Sequence, residues 1–267
     1  DLPISLDHFA GIELEEWPAR IAQTALHLVD HQANKAMELA LGRAPEPLPL
    51  DKVDTIHVGN ALRMNWEQIY EAGPNVYIMG NPPFRGQHAK DVDQKEDMQL
   101  VWGDLYDGYL DYVTAWYKKA ADYYQRSPQG QFAFVSTNSI AQGQPVAALF
   151  QPLFDKGWRI FFAHQTFAWS SEAPGQAAVH VVIIGLEKGR NTAPRLFTYP
   201  DAKKGPVELP AKRINNYLVD APDVWIDKRM APLAKIPTTF RGTQPTDGGN
   251  LIVEQHEYAQ VIADPIA

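Results

Sequence analysis

Short apolar runs alternate with stretches of helical period through residues 1–190. Phe9 to Leu14 is an apolar run closing on an acid and predicts a buried strand. From Glu15 to Leu41, apolar residues recur at helical spacing at Ile21, Ala25, Leu28, Val29 and Leu39. Pro18 lies in the first turn of that helix, where a missing N–H does no harm, and Gly42 with the prolines at 45, 47 and 49 ends it. Thr55–Val58 and Val76–Met79 read as further strands, the second running directly into Gly80-Asn81-Pro82-Pro83-Phe84. A Trp- and Tyr-rich stretch from Met98 to Gln125 predicts one long helix. Phe132–Ser136 predicts a strand, Pro145–Phe154 a helix, and Trp158–Ala163 and Ala177–Leu186 two more strands.

Strands alternating with helices predict an α/β fold with a mainly parallel sheet covered on both faces. No clear helix separates the last two strands, which predicts an antiparallel finish. After Gly189 prolines recur, periodicity fades, and turn signals such as Asp247-Gly248-Gly249-Asn250 appear. The expected division is therefore a domain over 1–190 and a connector over 191–267.

Composition narrows the function. Hydrophobic residues make up 45% and charged residues 21%, which rules out wholesale disorder. Lys plus Arg number 24 against 32 acids, a net charge of −8, so nucleic-acid binding by bulk charge is excluded and any such contact needs a local patch. One exists: residues 195–241 hold nine basic against five acidic side chains. No cysteine is present, which excludes disulfides, thiolate metal sites and a cysteine nucleophile. No apolar run approaches the roughly 18 residues of a membrane helix. Asp1-Leu2-Pro3 carries no initiator Met and no signal pattern, and reads as the interior of a longer chain.

The sharpest chemical signal is Asn81-Pro82-Pro83-Phe84. Two prolines fix φ and hold a rigid, extended loop at a strand's C-terminal end, the edge where open α/β sheets bind ligands. The Asn81 side-chain oxygen and the Pro82 carbonyl present two acceptors in fixed geometry, enough for both hydrogens of one exocyclic NH2. Phe84 offers a flat face to a planar base. The plain alternative is a proline turn. The strand before and the aromatic after weigh against it.

That tetrapeptide resembles the motif of S-adenosylmethionine-dependent amino methyltransferases, above all the DNA adenine-N6 enzymes. Gly11-Ile12-Glu13-Leu14 resembles the family's second motif, whose acid takes the donor's ribose hydroxyls. Gly59-Asn60-Ala61-Leu62 resembles the third, which meets the donor's adenine, although the wider family often has Asp where Asn60 stands. Phe134-Val135-Ser136-Thr137-Asn138-Ser139, and the stretch from His164 through Phe167-Ala168-Trp169 to the run Ala177–Gly185, resemble later motifs in the wording of the MmeI-like branch of single-chain restriction-modification enzymes.

The resemblance implies a Rossmann-like class I methyltransferase sheet with an antiparallel final strand. It implies Asn81, Pro82, Pro83 and Phe84 as the catalytic set, and Glu13, Asn60 and Ala61 at the donor. Phe84 with Phe167 or Trp169 would stack on the target base. The implied cofactor is S-adenosylmethionine, the partner double-stranded DNA with a flipped adenine, and the setting a bacterial cytoplasm, with no membrane and no metal. The family's first motif, a Gly-x-Gly-like loop, has no counterpart, because no two of the 18 glycines are separated by a single residue. The expectation is a central piece of a larger enzyme that lacks the first strand and binds donor weakly or not at all. Methylation of a protein glutamine amide or an RNA guanine amine, or an inactive piece keeping only the fold, stay open.

Other residues carry less. His27 and His31 share a helix face, but no third ligand is evident. His180 inside an apolar run reads as a hydrogen-bonded core histidine. The seven acids between Asp91 and Asp111 read as a solvated face, and Glu13 alternatively as a helix cap.

Overall fold

Each of the six apolar runs forms a strand in the computed structural model, which describes residues 4–42, 55–86, 89–169, 179–201, 204–226 and 253–263. They are β1 (Gly11–Glu13), β2 (Ile56–Val58), β3 (Tyr77–Gly80), β4 (Gly130–Thr137), β5 (Trp158–Trp169) and β6 (Val179–Lys188). The helices are α1 (Glu16–Leu41), α2 (Trp66–Ile69), α3 (Val92–Trp102), α4 (Thr114–Tyr123), α5 (Pro145–Phe154) and α6 (Tyr258–Ala263). The prolines at 45–49 and the turn at Asp247–Asn250 lie outside the described residues.

β1 and β2 form a parallel pair. The other strands form a six-stranded sheet of order β3-β4-β6-β5-β7-β8, completed by β7 (Arg195–Thr198) and β8 (Val207–Leu209). β3, β4, β5 and β7 run one way, while β6 lies antiparallel between β4 and β5, as the antiparallel finish requires. Among the described residues β1 pairs only with β2, and β3 only with β4. The compact unit extends from Asp1 to Asp227, so two strands join the sheet past the boundary drawn at residue 190. The faded periodicity there reflects strands of four and three residues, too short for a pattern to show. Lys228–Ala267 forms a second unit, described only around α6.

One face of the sheet carries the core. Along β4, Phe132, Phe134 and Ser136 are buried and the residues between them half-buried. Tyr117 of α4 packs edge-on to Phe134 at 5.2 Å, and its hydroxyl meets Ser136 Oγ at 2.8 Å. On the opposite face the β4 positions are half-buried, while Val181, Gly185 and Glu187 of the central strand β6 are buried, so cover there is concentrated on β6.

The single helix expected over 98–125 is instead two. α3 stops at Gly103, which takes φ of +55°, a conformation an L side chain resists. The chain then turns through Leu110–Tyr112 before α4 begins. α1 forms as its period predicts, yet of its residues only Ala19 is buried, and Ile21, Leu28 and Val29 are more than half exposed. The register of β5 against β6 shifts twice, between Ile160 and Phe162 and between His164 and Phe167. Among the described residues no helix is long and apolar enough to cross a membrane.

Candidate active site

β3 delivers Asn81 to the C-terminal edge of the six-stranded sheet. Pro82 is buried and Pro83 exposed, so the rigid dipeptide straddles the surface, and half-buried Phe84 packs on the core. Asn81 is exposed, and its side chain has no hydrogen-bond partner among the described residues. The amide is therefore free to accept from a ligand.

Glu13 and Asn60 come together at the C-terminal ends of β1 and β2. Gly59 N donates to the Glu13 carbonyl at 2.8 Å, which ties the second loop to the first strand. The half-buried Glu13 carboxylate takes one long bond, 3.3 Å from Glu15 N. That bond reaches Glu15, the residue before α1, and α1 has no side-chain cap, so Glu13 is not the helix cap of the alternative reading and most of its acceptor positions stay open. Asn60 is committed internally: its Oδ1 accepts from Leu62 N at 2.9 Å and its Nδ2 donates to Asp97 Oδ2 at 2.8 Å. Ala61 is half-buried, and its carbonyl accepts from Trp66 Nε1 at 2.8 Å.

Asp97 and Asp111 overturn the reading of the 91–111 acids as a wholly solvated face, since they are only 2% and 4% exposed. Asp97 accepts from Asn60, from Arg63 Nε at 2.5 Å and from Tyr112 Oη at 2.6 Å. Burial alone raises its carboxyl, but the bonds from Tyr112, Arg63 and Asn60 outweigh that and hold it below the usual carboxylate range. Asp97 thus joins the loop after β2 to Tyr112, whose backbone N–H donates to the Arg85 carbonyl at 3.1 Å, one residue past Phe84. The sequence signal was present: Asp97 shares a helix stripe with Met98, Val101 and Trp102, which pack into the core.

Phe167 and Trp169 lie on the same sheet edge as Asn81. Phe167 stands level with Val181 of β6, which in turn stands level with Thr137 at the end of β4. Phe167 stacks on Tyr199 with centroids 4.4 Å apart, and Trp169 is 43% exposed. His164 stacks on Phe197 at 4.5 Å and shares a hydrogen bond with the Tyr199 hydroxyl at 2.8 Å. Burial, and then Arg195, push the His164 imidazole below its usual range. Among the described residues neither Phe167 nor Trp169 makes ring contact with Phe84.

His180 is not a core histidine. It is exposed near the start of β6, because burial along that strand begins only at Val181. His27 meets Gln23, and no group of three or more potential metal ligands occurs among the described residues. A cleft of about 400 Å³ lies beside Leu62, Arg63, Trp66, Lys119, Tyr123 and Arg126, and none of Glu13, Asn81 or Phe84 lines it.

Residues 1–198 match the family described as MmeI, DNA-methyltransferase domain. The chain is 34% identical over 263 residues to DNA methyltransferase A of Bacillus subtilis (strain 168), covering 97% of this chain and 29% of that protein. It is also similar to the solved structure of the Type IIL restriction-modification enzyme MmeI in complex with DNA, with a TM-score of 0.87 and 41% identity, covering 98% of this chain and 35% of that one. The chain spans about a third of the length of these relatives.

Proposed function

The chain belongs to the MmeI DNA-methyltransferase domain family, and from that premise we propose that it carries the reacting site of a bacterial DNA methyltransferase, which moves a methyl group from S-adenosylmethionine to adenine N6. The observation that carries this reading is the Asn81–Phe84 loop, with an exposed amide that has no partner among the described residues beside a rigid proline carbonyl. Donor chemistry fits the residues nearby. The Glu13 carboxylate has acceptor positions open for two ribose hydroxyls. The Asn60 side chain is committed to Leu62 and Asp97, so the contact to the donor's adenine falls to the Asn60–Ala61 backbone and its surroundings.

Bound S-adenosylmethionine supplies a methyl already activated on a sulfonium, so no nucleophilic side chain is required. Asn81 Oδ1 and the Pro82 carbonyl accept the two hydrogens of the adenine amine and favour a more tetrahedral nitrogen. With the donor bound, the amine nitrogen would take the methyl as the S–C bond breaks, the donor leaving as a neutral thioether and one amine proton passing to solvent. This is positioning plus electrostatic stabilisation of developing positive charge. The base must leave the duplex to reach the loop. Phe84 stacks on it, with Phe167 or Trp169 closing the far side.

The test is methyl transfer by the whole natural protein that carries this chain, offered DNA, RNA and protein in parallel. N6-methyladenine in DNA is the expected product. Labelled RNA guanine or protein glutamine with unlabelled DNA would replace this reading with one of the other planar-amine reactions.

A further inference from the structure

The loop from Asn81 to Gly86 has no regular secondary structure, and holding one residue's backbone in place costs about 1–2 kcal/mol of entropy. Among the described residues the segment Leu110–Tyr112 supplies the restraint. Arg85 N donates to Asp111 Oδ1 at 3.1 Å, the Arg85 carbonyl accepts from Tyr112 N at 3.1 Å, and Lys90 Nζ donates to the Leu110 carbonyl at 2.6 Å. Lys90 and Asp111 are each 4% exposed.

Asp111 does more than shape the turn before α4. Its Oδ1 also accepts from Val113 N at 3.2 Å, a local side-chain turn that leads into the helix. Its Oδ2 accepts from Thr137 Oγ1 at 3.1 Å, at the end of β4, the strand beside β3. A buried carboxylate is costly unless its oxygens are bonded, and these are bonded to three different elements. The carboxylate is the point where the turn after Phe84, the end of β4 and the entry to α4 meet. We propose that Asp111 is a positioning residue for the methyl-accepting loop, setting Asn81–Phe84 through Arg85 without touching the base. The assignment rests on the methyl-transfer reading.

The test compares Asp111→Ala, Asp111→Asn and Thr137→Val in the whole natural protein. Methyl transfer to DNA and calorimetric donor affinity are measured beside amide hydrogen exchange over residues 81–86, a readout independent of the reaction. Asp111→Ala is expected to lower kcat about 100-fold, the scale of a 1 Å misplacement, with donor affinity within about twofold and faster exchange at Arg85. Asp111→Asn keeps an Oδ1 acceptor and restores both. Thr137→Val removes one donor and gives a smaller change in the same direction, which decides the matter if Asp111→Ala does not fold. Unchanged exchange at Arg85, a donor affinity and melting temperature that fall in step with kcat, or no restoration by Asn would each overturn the proposal. A wild-type protein that methylates no DNA would instead refute the methyl-transfer reading, and exchange alone would then decide whether Asp111 holds the loop.

Discussion

Asn81 is exposed and, among the described residues, without a side-chain partner, while Asn60, the other polar residue singled out in a loop, is bonded at both ends. The difference divides their roles. Asn81→Ala removes an acceptor aimed outward, and should lower methyl transfer by the whole natural protein by about 10²–10³-fold, or 2.7–4 kcal/mol, while donor affinity in calorimetry stays unchanged. An equal loss of donor affinity would show Asn81 to serve the donor. At this scale the Asn81–Phe84 loop was legible because proline dictates backbone shape wherever it stands. Asp97 was legible only through the helix stripe it shares with Met98, Val101 and Trp102, and Asp111 not at all, because both sit among Asp93, Glu96, Asp104 and Asp107, all exposed, and an acid's burial is decided by what packs over it.

Among the elements, β4 and the helix ending just before it, α4, show why strands were easier to place than helix ends. The apolar run of β4 is unambiguous, but its first residue has a stricter requirement. Tyr124 is fully buried, its hydroxyl donates to the Val76 carbonyl at 2.7 Å, and a Cβ on Gly130 would stand 2.6 Å from its ring. The pinned ring cannot retreat. Gly130→Ala should therefore destabilise by about 1–3 kcal/mol in denaturant melts, as overpacking does. Gly108→Ala, with nothing within 4 Å of the new Cβ, should change stability by no more than about 0.5 kcal/mol. A Gly130→Ala protein as stable as wild type would mean that Tyr124 is less fixed than its hydrogen bond implies. The Met98–Gln125 stretch misled because its aromatic residues suit either one long helix or two packed ones, and only the backbone at Gly103 separates these.

For the whole molecule, the division of the strands into the β1–β2 pair and the six-stranded sheet falls between the strand bearing Glu13 and the strand before Asn81, a split that no local pattern announces. Stability against pH integrates over both. His164 has a depressed imidazole, so the unfolded chain binds its proton more readily, and stability falls as pH drops below about 6.5. Asp97 and Glu187 are depressed carboxyls, so their contribution is present above about pH 4 and lost as pH falls further through their folded values. Thermal melts across pH should show two stages of loss, and His164→Phe should flatten the upper stage while leaving the lower; a variant that keeps both would assign the upper stage elsewhere. The double register shift in β5 has a mechanical counterpart. Twelve residues of β5 run beside ten of β6, and a ribbon longer than its neighbour over the same span must coil about it, like the outer lane of a curved track. The excess length winds the sheet toward its C-terminal edge. It also resets which way successive side chains point, so that His164, Phe167 and Trp169 line up on one side with Tyr199, where a strict alternation would have split them between the two faces.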